Sequence, residues 1–346
     1  MRRVLPALVS ACCLTLVACG GEPPGGSETP PLGGSRLLLA LDRVAATEDT
    51  RAWVTFDDTA ALVELAGAEP GVDEGGHGSL RGYGAANLAP YVTVIEEQPG
   101  IALLDADFTV SAGQPPHLVG LVAGGQDGTR ISEGLTGLGW TREEQTLVAP
   151  ALGEVDDARF ASLTLQLAKA RAEGSDLVYG GVGADLARIG EPTGETLADD
   201  PRTRALSDCL GDVVVAAVAT PNLRATPQPT AVAVGVRAPS ANTDTPHAVV
   251  CTSWSSESDA EKHHSLLDKA MSDGASGATR EPWSDLFADV TTDNLGGDQH
   301  VVSWDADTPG KPPTLVMNML SKVDLPGFPC QGRMTPEMAR ELGDYC

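Results

Sequence analysis

The sequence predicts an α+β fold: two packed units with mainly antiparallel sheets, dividing near Ala151 and ending in a disulfide-closed tail. Three observations predict it. The chain has 346 residues, more than one core of about 100–150 residues requires. Hydrophobic residues make up 42% and charged residues 21%, the composition of a folded body. Short strand-like apolar runs alternate with helical stripes, without the long regular βα repeats of a parallel sheet.

In chain order, Leu37, Leu38, Leu41 and Val44 form a stripe that predicts a helix over residues 35–45. A strand over 51–56 follows, and Asp57 or Asp58 caps a helix running to Ala66. Residues 67–82 form a Gly-rich loop; a helix at 87–97 and strands at 107–111 and 117–123 come next. After Gly124-Gly125, Ile131, Leu135 and Leu138 at i, i+4 and i+7 mark a helix, and a strand at 146–149 closes the first unit, 36–150.

The second unit, 151–325, opens with strand-like pieces at 163–167 and 176–180. Asp199-Asp200-Pro201 starts a helix, with proline at the first helical position. Strands at 212–219, 230–237 and 247–253, a helix at 257–272, strands at 286–292 and 300–304, and a helix at 313–322 complete it. An internal echo runs through this order. Pro116-His117 and, 130 residues later, Pro246-His247 each lead an apolar strand, a loop, a helix and a closing strand, the pattern a duplicated module would leave. In the tail, 326–346, Thr335 as cap and Pro336 at the first position predict a short helix to Leu342, ended by Gly343.

The amino terminus carries a targeting signal. Arg2 and Arg3 precede the apolar stretch 4–16, which ends in Leu16-Val17-Ala18-Cys19 followed by Gly20-Gly21. These last residues resemble the lipobox of bacterial lipoproteins. That resemblance implies cleavage after residue 18, a diacylglyceryl group on the Cys19 thiol and further acylation, such as palmitate, of the new amino terminus. A competing match at Val9-Ser10-Ala11-Cys12 leaves only about eight apolar residues, short for such a leader. Pro6 and the limited apolar length argue against a membrane-spanning helix, which needs about 20 residues. Residues 20–35, rich in Gly and Pro, then tether the body to the membrane, spanning about 20–24 Å as a flexible coil. The expected location is the extracytoplasmic face of the cell membrane, with lipid as the only membrane contact.

Removal of Cys12 and Cys13 with the signal, and lipidation of Cys19, leaves Cys209, Cys251, Cys330 and Cys346. Four cysteines in an exported chain read as two disulfides with three possible connectivities. The sequential pairing is favoured: Cys209 lies on a helix beside Leu206 and Leu210, and Cys251 lies in the apolar strand 248–251, so a helix-to-sheet bridge is reasonable. Cys330 and Cys346 would then close the tail. No Cys-x-x-Cys pair starts a zinc site.

The net charge is −25, from 48 acidic and 23 basic residues. Such a field disfavours nucleic acid and anionic membrane surfaces as partners. Several residue groups imitate sites. Residues 176–186 look like a strand and Gly-rich nucleotide turn, but Leu186 stands where the third glycine belongs. His263-His264 are adjacent and point to different helix faces. Asp305 to Gly310 begins like a calcium loop, yet Pro309 occupies a ligand position. Ser79, His77 and Asp73 share one loop, which does not fix a triad. No catalytic residue, metal or cofactor is therefore expected. A diffuse strand-helix-Gly-Trp rhythm around Leu118 to Trp140 is similar to exported actinobacterial proteins of unassigned function and implies no activity. The expected role is non-catalytic binding or scaffolding in the envelope, toward an envelope protein or a small solute. A solute-binding lipoprotein of a transporter and an envelope hydrolase are the alternatives.

Overall fold

The computed structural model describes residues 35–66, 76–85, 87–155, 157–220, 228–238 and 245–328. The elements run in chain order α1 (Arg36–Asp42), α2 (Glu48–Ala52), β1 (Trp53–Asp57), α3 (Thr59–Ala66), α4 (Val92–Glu97), β2 (Phe108–Ala112), β3 (Val119–Ala123), α5 (Gly128–Gly137), β4 (Thr141–Glu143) and β5 (Thr146–Val148). They continue as α6 (Ala158–Ala161), α7 (Leu163–Gln166), β6 (Lys169–Glu173), β7 (Asp176–Gly180), α8 (Pro201–Leu210), β8 (Val213–Ala219), β9 (Ala231–Arg237), β10 (His247–Ser253), α9 (Glu257–Asp273), α10 (Trp283–Leu286), β11 (Ala288–Gly296), β12 (Val301–Asp307) and α11 (Leu315–Lys322).

The fold is α+β, as the sequence predicts, but its strands form one antiparallel sheet of twelve in the order β11-β12-β10-β9-β8-β1-β2-β3-β7-β6-β5-β4. The sheet crosses the division expected near Ala151: β1 pairs with β8, and β3 with β7. The described residues, Ser35 to Phe328, lie in one compact unit. One sheet spans both halves because β8 and β7 of the second half take β1 and β3 of the first as hydrogen-bonding partners, while β9 and β10 pair within the second half.

Both faces of the sheet are covered. Leu37 and Leu41 of α1 and Leu206 and Leu210 of α8 pack with Val54, Phe56, Ala216 and Val218 on one face. On the other face, α9, α10 and α11 cover Ala217, Val232, Val234 and Trp304, while Ile95, Ile131, Leu135 and Leu163 cover Val122 and Tyr179. Burial on both sides explains why β8, β9 and β10 read as continuous apolar runs rather than alternating ones. The two edges differ: β4 is exposed throughout, and β11 is mostly exposed, with Asp289 and Asp293 along it, a composition that discourages further pairing.

Capping follows the sequence closely. The Ser35 side chain accepts from Leu38 N, Asp200 from Thr203 N ahead of Pro201, and Ser256 from Asp259 N. Other boundaries move for tertiary reasons. Helix α1 stops at Asp42 because Val44 and Ala45 bridge to Ile189 and Thr196. The predicted helix at 87–97 becomes a 3-10 turn, Ala89–Tyr91, followed by α4. Residues 163–167, expected as a strand, form α7, and the strand expected from Leu286 starts at Ala288 after α10.

The internal echo extends to element order and stops at pairing. A helix and then a hairpin follow both β3 and β10, but β12 lies directly beside β10, whereas β7 and β6 intervene between β3 and β5. The predicted tail helix at 336–342 and the Cys330 to Cys346 bridge lie outside the described residues, as do Cys19 and residues 20–34 of the tether.

Candidate functional site

Along β1, alternate residues Trp53, Thr55 and Asp57 share a face of the sheet, the face carrying α9, α11 and α5. At the inner end of this row lies a buried polar knot. Asp57 is fully buried and accepts from Gly84 N at 2.8 Å, Thr109 Oγ1 at 2.8 Å and Thr59 Oγ1 at 2.5 Å. Burial raises its carboxyl to a pKa of about 6, against the lowering effect of these three bonds, and neighbouring Asp58 raises it further. Thr55 and Ser111 both donate to Gly84 O. The knot separates two apolar cores on this face and fastens the short turn Tyr83–Ala85 over the sheet.

Asp58, not Asp57, supplies the helix cap, accepting from Ala61 N at 3.0 Å. Glycine is required at position 84: a Cβ there would sit 2.1 Å from Thr109 O and 2.5 Å from Thr109 Oγ1. Gly84→Ala is therefore expected to cost about 2 kcal/mol by forcing the turn off the sheet, measurable as a shift in the urea unfolding midpoint.

At the outer end of the same face, a pocket of about 420 Å³ opens between the strand ends and the last described helix. Its floor is Trp53, Leu118, Ala219 and Val232; its wall is Leu320, Val323, Leu325 and Phe328; Gln114, Pro115, Thr220 and Ser321 stand at the mouth. Backbone bonds tie the floor together, from Gly113 N to Trp53 O at 2.8 Å and from Thr220 N to Ala52 O at 3.0 Å.

The wall is pinned twice. The Asp324 carboxylate accepts from Ser276 Oγ at 2.6 Å and Gly277 N at 2.9 Å. The Phe328 ring lies 5.0 Å from that of His263, which lies 4.6 Å from Trp254. Burial drives the His263 pKa down to about 3, so this imidazole is neutral and packs as an apolar ring. His263 is buried while His264 is only partly so, as their adjacency on α9 predicts.

The pocket is chemically plain. None of its fourteen lining residues carries an ionisable side chain. The two hydroxyls at the mouth are committed to the backbone: Thr220 Oγ1 donates to Arg51 O and Ser321 Oγ to Met317 O, both at 3.0 Å.

The sequence-level site candidates are accounted for elsewhere. Cys209 and Cys251 form the expected helix-to-sheet disulfide between α8 and β10. Ser79 Oγ donates to Gly76 O at 2.6 Å and His77 is buried, while Asp73 lies outside the described residues. Asp305 and Asp307 flank His247 at 3.3 and 2.9 Å on paired strands rather than forming a calcium loop. Asp176 begins β7, accepting from Gly124 N and pairing with Arg43 at 2.7 Å. Among the described residues no cluster of His, Cys, Asp or Glu has a metal-holding arrangement, and no helix is long and apolar enough to cross a membrane.

No family model, curated protein or solved structure matches the chain.

Proposed function

We propose that the protein is a lipid-anchored extracytoplasmic envelope protein that binds a ligand without converting it. One observation carries this reading: the pocket at the end of β1 is concave and pre-formed, and among the described residues its lining holds no acid, base or free nucleophile. Turnover needs a positioned group of that kind, whereas retention of a ligand needs only a complementary cavity. Between a protein scaffold and a carrier of small molecules, such a pocket favours the carrier. The disulfide between Cys209 and Cys251 fits an oxidising compartment outside the cytoplasm, and the Leu16-Val17-Ala18-Cys19 motif supplies the anchor in this reading.

Two measurements test it. Changing Cys19 to Ala is expected to abolish lipid attachment and leave precursor or shed protein; an unacylated Cys19 in the wild-type amino-terminal peptide, read by mass spectrometry, contradicts the anchor. Purification of the native lipoprotein in mild detergent, with mass spectrometry of bound molecules and co-purifying proteins, is expected to return a near-stoichiometric small molecule. Turnover of an envelope substrate by the purified body would overturn the non-catalytic role.

A further inference from the structure

We infer that the pocket between the strand ends and α11 is a site for one uncharged lipophilic small molecule, an alkyl or aryl body with at most a neutral polar group placed at Gln114. The inference rests on the binding role above and names its ligand class. Its volume of about 420 Å³ falls within the range of about 300–1,000 Å³ typical of small-molecule sites.

Charge decides the class. The chain carries 48 acidic and 23 basic residues, yet its fourteen pocket-lining residues include none of them. The nearest acid in sequence, Asp324, points its carboxylate at Ser276 and Gly277 and leaves Val323 and Leu325 to face the cavity. An ionised ligand group set among these lining residues would lose water there and meet no counter-charge from them, a cost that an uncharged ligand avoids.

The backbone supplies a second observation. Val323, which ends α11, has φ 55° and ψ 43°, a left-handed conformation that a β-branched residue rarely adopts and that glycine ordinarily fills at a helix end. Valine is strained there, and such outliers cluster at ligand-contacting sites. The strained residue places an isopropyl group in the pocket wall where glycine would leave a gap. The pins at Asp324 and Phe328 hold the wall in this form, so binding requires little ordering of the protein.

The test uses the Cys19→Ala chain after its leader has been removed, so that neither lipid nor the apolar stretch 4–16 is present, and the neutral fluorophore N-phenyl-1-naphthylamine. Saturable uptake of one molecule per chain is expected. Ser321→Phe and Thr220→Phe, which plug the mouth from opposite walls at exposed positions, are each expected to weaken uptake at least tenfold, and Lys322→Phe, outside the lining, less than twofold. At pH 8, 1-decanol is expected to displace the fluorophore at least tenfold more effectively than decanoate.

Displacement by decanoate as effective as by decanol overturns the uncharged class. Uptake indifferent to both plugs overturns the location. Absence of uptake overturns the site itself. The broader binding role has its own readout: a stoichiometric ligand or partner on the native protein would uphold that role even where this assignment failed.

Discussion

Replacing Cys209 and Cys251 together with alanine is expected to lower the unfolding free energy by about 4 kcal/mol. The two residues are 42 apart in sequence, and in the chain-entropy model closure of a loop of that length removes about this much freedom from the unfolded chain. The bridge ties α8 to β10 on the face that also carries α1, where Cys251 is wholly buried among Val249, Ala233 and Leu210. The pocket lies on the opposite face. Urea unfolding of the double variant should therefore show the large loss, while ligand uptake by the folded fraction stays unchanged. A loss below about 1 kcal/mol would mean that the unfolded chain is already restricted without the bridge.

The second large effect is the pH dependence that Asp57 imposes. Its folded pKa of about 6 exceeds the ordinary value of 3.8, so between about pH 4 and pH 6 the native state holds the proton that the unfolded state has released. Stability consequently falls as pH rises through this window, reaching a loss of about 3 kcal/mol above it. Asp199 and Asp200 act in the opposite sense: burial pushes Asp200 up but bonds from Thr203 and Arg51 together outweigh it, bonds from Thr196 lower Asp199, and both carboxyls stabilise the fold as pH rises. Comparison with Asp57→Asn isolates the one group. The variant carries a constant cost from an amide placed among three donors, but its stability profile should lack the fall between pH 4 and pH 6. Parallel profiles for the two proteins would contradict the assigned pKa.

The strands β8, β9 and β10 and the helices α8 and α9 were legible because each is a long apolar run or stripe bounded by a cap that the structure uses, Asp200 and Ser256 among them. Residues 163–167 misled because Leu163, Leu165 and Leu167 alternate like a strand, whereas α7 buries Leu163 and leaves Leu165 exposed. Strand β6, Lys-Ala-Arg-Ala-Glu, escaped because only the backbone of β5 and β7 makes it a strand. Asp57 read as a helix cap, since nothing local distinguishes it from Asp58; its burial comes from Thr109 and Gly84, which lie 52 and 27 residues away. The pocket was illegible for the same reason, assembled as it is from residues as distant as Trp53, Leu118, Val232 and Phe328, each of which alone reads as ordinary core.

The central claim is that this protein holds an uncharged ligand between its strand ends and α11, and the most direct measurement is a methyl NMR titration of the leader-free Cys19→Ala chain with N-phenyl-1-naphthylamine. The account predicts shifts at the methyls of Leu118, Val232, Leu320, Val323 and Leu325, with Ile131 and Leu135 of α5 unmoved. Shifts confined to residues outside the pocket, or spread evenly over both faces of the sheet, would contradict it.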